Sequence, residues 1–315
     1  MPSNNFNNRQ KENYTAKDIE VLEGLEPVRK HPGMYIGGTD HKALHHLAAE
    51  LLDNAIDEVL SGFASNIDVT LINDHTLSIA DNGRGIPIDP HPLDPSKSAL
   101  EVICTTLHSG GKFNNNNYIV SGGLHGVGLS VVNALSESLT IEIAKNKILW
   151  KQEYLRGKPL GPVIKIGKIS NRRGTKITFK PDQEIFGSNL SFNQQLLSEM
   201  AKSKAYLCKG VEIKWLCKTN LNTTDKHTAY IYKFSNGITD YLKEYMKDRT
   251  QITSTTFEGS TISKKNSEGV EWSIAWPKDG LGMSKSYCNT IPTINGGSHE
   301  LGLRSALLKG IKSYL

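Results

Sequence analysis

Apolar residues recur at helical spacing between residues 44 and 59 and predict one long amphipathic helix. The apolar arc holds Leu44, Ala48, Leu51, Leu52, Ala55, Ile56 and Val59. The opposite arc holds the polar residues Glu50, Asn54, Asp57 and Glu58. At about 100° per residue, Asn54 lies about 40° from Glu50, and Asp57 lies about 20° away on the other side. We therefore expect the apolar arc to pack on a core and the polar stripe to face outward.

The polar stripe has two interpretations. A solvated helix face usually includes Lys or Arg for i,i+4 ion pairs, but neither Lys nor Arg occurs between Ala43 and Phe63. Carboxylates and an amide without neutralising cations suit a magnesium ion and an activated water. His46 lies one turn before Glu50, where a hydrogen bond would tune the basicity of the carboxylate. The alternatives are a solvated stripe and a surface histidine.

Alternating residues at 76–81 predict a strand that ends at Asp81. Gly83 and Gly85 follow, so a ligand can approach the backbone closely. A carboxylate in that position can accept a hydrogen bond from an adenine amino group. The alternative is an ordinary Asp-Asn-Gly turn. We expect Arg84 to form an ion pair with Glu58 beside the site.

Four glycines, at positions 122, 123, 126 and 128, precede the run LSVVNAL, which predicts a helix. Backbone N–H groups at a helix N-terminus attract anions, and glycines let phosphate oxygens approach. The segment is not a Walker A motif, because the Gly-Lys-Ser/Thr ending is absent. It also lacks the βαβ context and the acidic residue of a Rossmann fingerprint. The loop gains meaning only together with the first two patterns.

In this order, ELLDNAIDE (50–58), DNGRGIP (81–87) and SGGLHGVG (121–128) resemble the motifs of the gyrase, chaperone, histidine-kinase and mismatch-repair ATPases, the GHKL superfamily. GLEPVRKHPGMYIG (24–37) and LHSGGKF (107–113) are similar to the B subunits of bacterial type IIA topoisomerases.

The branch of that family is indicated by three further segments. KAYLCKGVEI (204–213), NGITDYLKEY (236–245) and NTIPTINGGSHELGLR (289–304) resemble the topoisomerase IV branch more than the gyrase branch. The resemblance runs from about Tyr14 to the end of the chain.

The resemblance implies an α+β fold. It predicts a two-layer α/β sandwich, with a mixed sheet and helices on one face (the Bergerat ATP-binding fold), followed by the first part of a smaller α/β transducer domain. The expected divisions are a dimerisation arm at 1–18, the ATPase domain at 19–225 and the transducer at 226–315. The arm is Asn-rich and expected to be disordered until a partner orders it. In the family, the transducer continues past Leu315.

Residue roles follow from the same resemblance. Glu50 matches the general base, Asn54 the magnesium ligand, and Asp81 the reader of the adenine amino group. Thr175 shares a water with that carboxylate, and His46 is the candidate helper of the base. Further residues of the predicted nucleotide site are Asp57, Glu58, Arg84, Gly85, Ile86, Pro87, Lys112, Tyr118, Gly123, Leu124, His125, Gly126, Val127 and Gly128. Gly85, Ile86 and Pro87 line the adenine pocket, Tyr118 belongs to the lid, and Lys112 with residues 124–128 wraps the phosphates.

The N-terminal arm also matches the family, and two positions differ from the family's usual residues. Tyr14 and Ile19 match the arm that such proteins exchange between subunits. Ile119 stands where a lysine often follows the lid tyrosine, and Lys145 stands where an arginine commonly flanks the pocket. We expect these two departures to alter inhibitor contacts and nucleotide affinity, and to leave the core chemistry in place.

ATP and Mg²⁺ are the implied cofactors. The implied partners are DNA, a topoisomerase A subunit and a second copy of the chain in an ATP-induced homodimer. The implied activity is ATP-driven DNA strand passage for decatenation or relaxation. Because the family's transducer lysine lies beyond Leu315, we expect this chain to bind ATP with weak hydrolysis. The alternatives are a gyrase B subunit, another GHKL enzyme, a nucleotide-regulated dimerisation module and a plain DNA-binding module.

Composition adds few constraints. The net charge of +5 agrees with a DNA-associated partner without establishing one. The four cysteines lack C-x-x-C spacing, so we expect buried apolar thiols in a reducing cytoplasm. The polar start has no apolar signal-peptide core, and no apolar run reaches membrane-spanning length. We therefore expect a cytoplasmic protein that does not bind membranes.

Overall fold

The structure is a computed structural model that describes residues 15–113, 126–219, 228–263, 268–280 and 282–315. Its helices are α1 (Glu26–Lys30), α2 (Gly33–Ile36), α3 (His41–Leu60), α4 (Ala99–Thr105), α5 (Gly128–Ala134), α6 (Gln183–Phe186), α7 (Gln194–Leu207), α8 (Ile238–Tyr245) and α9 (Ser298–Tyr314). Short 3₁₀ turns lie at Ala16–Asp18 and Gly111–Phe113.

Strands β1 to β8 are Asn66–Asn73, Thr76–Asp81, Pro90–His91, Asp94–Ser98, Ser136–Lys145, Ile148–Leu155, Lys158–Pro159 and Ile164–Lys168. Strands β9 to β15 are Gly174–Pro181, Glu212–Cys217, Thr228–Tyr232, Phe257–Ile262, Gly269–Ile274, Tyr287–Cys288 and Ile291–Pro292.

A nine-stranded sheet forms the body of the protein. Its strand order is β11-β10-β1-β2-β9-β5-β6-β7, and β8 pairs with β6 at the same end. The pair β1–β10 is parallel, whereas the other pairs along this order are antiparallel. The sheet is therefore mixed, and the predicted α+β class with a mixed sheet is confirmed.

One face of the sheet carries the core. Along β1, Ile67, Val69 and Leu71 are at most 2% exposed, while Asp68 between them is exposed. This period of two places the apolar side chains against α3, α5 and α7, which contact β2, β5 and β10 in turn. The opposite face is polar, with ion pairs such as Lys176–Glu142 at 3.0 Å. Burial of each core Leu or Ile contributes about 1.5–3 kcal/mol to stability.

Helix α3 confirms the predicted amphipathic helix. It begins after Asp40, whose Oδ1 accepts a hydrogen bond from the Ala43 N–H at 2.9 Å. It ends at Leu60, and Gly62 follows with φ +77°. The predicted apolar arc is buried from Leu44 to Ile56, while Val59 is half-buried against the same core.

A buried histidine fastens α3 to α7. His45 donates from Nδ1 to the His41 carbonyl at 2.7 Å, and its Nε2 accepts from the Asn193 N–H at 2.9 Å. A carbonyl only accepts and an amide N–H only donates, so these two partners fix the tautomer with the proton on Nδ1. Asn193 also caps α7 through the Leu196 N–H. The packing of α3 on α7 therefore includes a polar contact that the periodicity did not predict.

The C-terminal part begins with a strand of the main sheet. β11 pairs with β10, so the boundary predicted at residue 225 falls before the last strand of that sheet. Two small hairpins follow, β12–β13 and β14–β15, together with α8 and α9. Tyr206 of α7 stacks on Phe234 at a ring-centroid distance of 3.7 Å and so joins this part to the main body.

The cysteine prediction is wrong at one position. Cys104, Cys208 and Cys217 are buried, and burial raises the pKa of Cys104 and of Cys208 to about 12. Cys288 is exposed on the two-residue strand β14. In the described part of the chain, no helix has both the length and the apolar content needed to cross a membrane.

Candidate functional site

The fold brings the three sequence patterns together. The polar stripe of α3, the end of β2 and the start of α5 meet at one edge of the core. Gly128 opens α5 so close to α3 that a Cβ there would overlap the Glu50 carboxylate. A Cβ on Gly83 would lie 2.7 Å from Glu58 Oε2 and 2.8 Å from Asp81 Oδ1. A side chain at either position would therefore displace the carboxylates around it.

Glu50 is accessible and has a histidine partner. Its side chain is 32% exposed, and His46 Nε2 lies 3.3 Å from its Oε1. The side-chain hydrogen bond to Glu50 is the main cause that raises the pKa of His46, although partial burial opposes it. The predicted contact between these two residues is confirmed. The geometry leaves the carboxylate able to reach a water or a ligand.

Lys112 lies against the next two residues of the stripe. Its Nζ donates to Asn54 Oδ1 at 2.8 Å and forms an ion pair with Asp57, whose side chain is 1% exposed. The ammonium comes from the 3₁₀ turn Gly111–Phe113. Lys112 thus contacts the polar stripe of α3 directly in this structure.

The expectation that the acids of α3 are not neutralised is wrong. Asp57 pairs with Lys112, Glu58 pairs with Arg84, and Asp53 pairs with Lys204 at 2.6 Å. These cations come from a turn, a loop and another helix. The Arg84 partner of Glu58 was predicted, whereas a search for i,i+4 partners within α3 could not find Lys112 or Lys204.

Asp81 ends β2 and is held by backbone donors. Its Oδ1 accepts from the Gly83 N–H at 2.7 Å and, more weakly, from the Thr175 N–H at 3.4 Å. Burial raises the pKa of Asp81 to about 6, against these two hydrogen bonds, which lower it. Thr175 also accepts from the Ile86 N–H at 3.2 Å through its Oγ1. The residues predicted to surround the adenine therefore lie together.

Two further glycines shape this pocket. Gly174 has φ +101°, and a Cβ there would clash with the backbone carbonyl of Asp81. Gly85 has φ +75°, and a Cβ there would lie 3.0 Å from Ile143 Cγ2. Sequence reasoning missed the role of Gly174 and the contribution of Ile143. The Arg-Gly-Thr string beside the predicted Thr175 was the available signal for the glycine.

The predicted Glu58–Arg84 ion pair is confirmed. Arg84 donates from Nη2 to Oε1 at 2.6 Å and from Nε to Oε2 at 3.1 Å, a bidentate arrangement. Its backbone N–H adds a third hydrogen bond, to Oε2 at 3.0 Å. The guanidinium also lies 3.9 Å from the ring centroid of Phe63. Glu58 and Phe63 therefore hold the loop after β2 in position.

Part of the predicted site lies outside the described residues. These positions are Tyr14, Tyr118, Ile119, Gly123, Leu124 and His125. The described end of the glycine loop is Gly126 to Gly128, and the Gly126 carbonyl accepts from the Ser109 N–H at 3.1 Å. Pro87 follows the Gly85–Ile86 turn, and Ile86 packs against the core. Ile19 is 59% exposed, and Lys145 is the last residue of β5.

The oxygens near Lys112 fit a cation. Among the described residues, no group of three or more His, Cys, Asp or Glu side chains forms a protein-only metal centre. Magnesium bound with a nucleotide needs few protein ligands, because phosphate oxygens and waters complete its octahedron. The Asn54 amide oxygen and the Asp57 carboxylate already attract an ammonium. They would suit a divalent cation once that ammonium moved away.

Comparison with known proteins identifies related sequences. Residues 39–185 match the family model described as "Histidine kinase-, DNA gyrase B-, and HSP90-like ATPase", and residues 237–315 match the model described as "DNA gyrase B". The B subunit of DNA topoisomerase 4 from Rickettsia conorii is 53% identical over 303 residues. Its namesake from Caulobacter vibrioides is 51% identical over 305 residues. Each alignment covers 96% of this chain, and they cover 46% and 44% of the respective relatives.

A solved structure shows the same architecture. It is described as "Crystal structure of the 43K ATPase domain of Thermus thermophilus gyrase B in complex with an aminocoumarin". The TM-score is 0.79 at 33% sequence identity, and the match covers 92% of this chain and 72% of the other. The chain spans about half the length of the curated relatives it matches.

Proposed function

The chain belongs to the family of bacterial type IIA topoisomerase B subunits, whose N-terminal part is a gyrase B-like ATPase, and we propose that its site binds Mg-ATP and hydrolyses it. The Rickettsia and Caulobacter relatives are both named as the B subunit of DNA topoisomerase 4, which supports the topoisomerase IV branch. The single observation that carries the proposal is the Asp81 carboxylate, oriented by the N–H groups of Gly83 and Thr175 beside the α3 stripe.

The proposed hydrolysis depends on Glu50. Its carboxylate is accessible and paired with His46, so it can accept a proton from a water held near it. His46 orients the Glu50 carboxylate through the hydrogen bond at 3.3 Å. A bound magnesium ion would supply charge neutralisation for the phosphates, with Asn54 as its protein ligand. Phosphoryl transfer to water needs mainly such positioning.

Adenine selectivity is assigned to the pocket at the end of β2. An ionised Asp81 accepts a hydrogen bond from the exocyclic amino group of adenine, whereas guanine presents a carbonyl oxygen at that position. Thr175 positions this carboxylate and, in the proposal, shares a water with it. The turn of Gly85, Ile86 and Pro87 forms an adjacent wall. Tyr118 is proposed to contact the purine from the lid.

Phosphate binding is assigned to Lys112 and the glycine loop. The loop residues in this proposal are Gly123, Leu124, His125, Gly126, Val127 and Gly128. Lys112 would exchange its contacts with Asn54 and Asp57 for phosphate oxygens when the nucleotide binds. This exchange would free the Asn54 oxygen for the metal, so one cation replaces another at the same amide. Glu58 and Arg84 would support the pocket from behind.

In the longer protein, the site would drive a clamp. We propose an N-terminal arm at 1–18 containing Tyr14, an ATPase domain at 19–225 and a transducer from 226. ATP would favour a dimer in which the arms, including Ile19, are exchanged, and the dimer would trap a DNA segment for decatenation or relaxation. DNA, the A subunit and a cytoplasmic location belong to this proposal. In this chain, we expect ATP binding with weak turnover.

Calorimetry with a non-hydrolysable ATP analogue and magnesium tests the proposal. We expect one adenine-selective site per chain, weaker binding of ADP and no binding of GTP. Asn54→Ala should abolish the magnesium-dependent part of the affinity. Lys97→Met, which removes a surface cation paired with Asp94, is the control and should bind normally. Equal affinities for ATP and GTP analogues would overturn the adenine assignment.

A further inference from the structure

Helix α7 and the residues just after it carry three lysines that contact the C-terminal unit, defined here as α8, β12–β15 and α9. Lys202 contacts Glu244 Oε1 of α8 at 2.5 Å. Lys209 contacts Glu271 Oε1 of β13 at 2.7 Å. Lys204 donates to the Thr290 carbonyl, between β14 and β15, at 3.0 Å. The three contacts reach three different elements of the unit.

Lys204 differs from the other two lysines because it also contacts the helix of the nucleotide site. Its Nζ lies 2.6 Å from Asp53 Oδ1 on α3. Asp53 directly precedes Asn54 and lies one turn after Glu50. The side chain of Lys204 is 12% exposed and that of Asp53 is 22% exposed, so solvent screens this pair little. One ammonium therefore joins α3 to the C-terminal unit.

In the C-terminal unit, Lys204 contacts the turn Asn289–Thr290, which has an unfavourable backbone conformation. Asn289 has φ +48° and Thr290 has φ +71°, both in the left-handed region. That region is especially disfavoured for a β-branched residue such as threonine. Thr290 is also buried, at 7% exposure. The Lys204 N–H groups, 3.0 Å from its carbonyl and 3.4 Å from its Oγ1, stabilise this conformation from outside the hairpin.

We propose that Lys204 is a positioning residue that couples nucleotide binding on α3 to the conformation of the Asn289–Thr290 turn. The inference rests on the proposed function, because it needs a nucleotide at Asn54. Nucleotide and metal bound at Asn54 would change the charge next to Asp53. The same Lys204 ammonium forms the ion pair with Asp53 and donates to the Thr290 carbonyl, so a change at the first partner alters its contact with the second. Such coupling is reciprocal: a rearranged turn changes nucleotide affinity by the same factor.

Hydrogen exchange of the β14–β15 hairpin tests this coupling on the whole chain. The amides of residues 287–291 are followed with and without a saturating, non-hydrolysable ATP analogue, and calorimetry verifies binding in each sample. In the unmodified chain, we expect the analogue to change hairpin exchange by roughly fivefold or more. In Lys204→Met, that change should fall below about twofold, although the analogue still binds.

Matched variants separate coupling from ordinary stabilisation. Lys202→Met and Lys209→Met also remove a cation that contacts the C-terminal unit, but the ion pairs of these lysines are with α8 and β13 rather than with α3, so both variants should keep the full response. Asp53→Asn breaks the same link from the α3 side and covers the case in which Lys204→Met folds poorly. Lys204→Arg keeps the charge and should restore part of the response.

The two proposals fail differently. If the unmodified chain does not bind the analogue, the proposed function and this inference are both overturned. If the chain binds it and the hairpin does not respond, the coupling alone is wrong. The coupling is also wrong if Lys204→Met and Asp53→Asn both keep the full change in hairpin exchange. Lys204 would then only stabilise the contact between α3 and the C-terminal unit.

Discussion

Lys112 Nζ lies 2.8 Å from Asn54 Oδ1, so a cation of the protein contacts the amide oxygen that is proposed to bind magnesium. The same ammonium pairs with Asp57, whose side chain is almost wholly buried. A buried carboxylate is costly without a counter-charge, and the lysine meets that need when no nucleotide is bound. The site therefore has one cation position that two different cations can use.

Lys112→Met should allow magnesium to bind this position without nucleotide. The ammonium competes with the metal for the Asn54 and Asp57 oxygens, so its removal leaves them to the divalent cation. At a magnesium concentration ten times its Kd, we expect about 1.4 kcal/mol of added stability. Thermal unfolding with increasing magnesium measures the effect, and the unmodified chain should respond less.

Lys97→Met is the matched control for that experiment. Lys97 pairs with Asp94 at 3.1 Å on the surface, and both side chains are about half exposed. This variant should respond to magnesium as the unmodified chain does. If magnesium raised the stability of Lys112→Met no more than that of the unmodified chain, the lysine would not compete with the metal.

Glu50→Ala should retain Mg-ATP binding and lose turnover. A general base typically contributes between about 10² and 10⁴ in rate. The weak turnover expected of this chain should therefore fall below detection. Phosphate release is measured under single-turnover conditions, and analogue affinity is measured by calorimetry. Glu153→Ala, whose side chain is exposed on β6, is the control, and unchanged turnover in Glu50→Ala would remove Glu50 from the role of base.

Gly128→Ala should lower turnover more than stability. The added Cβ would overlap the Glu50 carboxylate, so the carboxylate must rotate away from its position near His46. Alanine is otherwise favourable in a helix, and the chain should still fold. The control is Gly302→Ala in α9, where nothing lies within 4 Å of the added Cβ. Turnover equal to that of the control would show that Glu50 tolerates the displacement.

Local patterns were sufficient to predict the main elements of the fold. The α3 arc has seven apolar residues in phase, and β2 alternates up to Asp81, so both follow from hydrophobic period alone. The same reasoning predicted α5 from the run LSVVNAL. It did not find the β10–β11 pairing across the predicted domain boundary, because strand pairing depends on chain segments that are distant in sequence.

The site was predictable where its residues share a short motif. Glu50, Asn54 and Asp57 share one helix face, and Glu58 pairs with Arg84 only 26 residues away. Lys204 contacts Asp53 from about 150 residues away and Gly174 packs on Asp81 from about 90, so no local spacing signals either contact. The lysines that neutralise Asp53 and Asp57 were missed for this reason. Only the folded chain brings those cations to them.

The pKa of Asp81 predicts how Asp81→Asn changes the dependence of stability on pH. Burial raises this pKa to about 6, above the usual value of an unfolded aspartate near 4. Above pH 6, the native state carries the full cost of a buried charge. Between about pH 6 and pH 4, the native state binds a proton that the unfolded state lacks, so this residue stabilises the fold as the pH falls.

The stability difference between Asp81→Asn and the unmodified chain isolates that contribution. Other carboxylates titrate in both proteins and cancel in the difference. We expect the advantage of the Asn variant to shrink by about 2 kcal/mol as the pH falls from 7 to 4. Urea unfolding at a series of pH values measures the difference. A constant difference over this range would mean that Asp81 titrates normally.

Nucleotide affinity should show the opposite pH dependence at the same residue. Only the ionised Asp81 carboxylate is purely an acceptor for the adenine amino group, so binding favours the deprotonated form. Affinity for the ATP analogue should therefore fall as the pH drops through 6, by about tenfold at pH 5. Asp81→Asn should bind adenine weakly at pH 7, because its amide can present a donor, and should lack this fall. Calorimetry measures the affinity of both proteins from pH 5 to pH 8. Because the nucleotide titrates equally in both experiments, its own protonation cancels in the ratio of the two affinities. Parallel pH profiles for the two proteins would show that the adenine contact lies elsewhere.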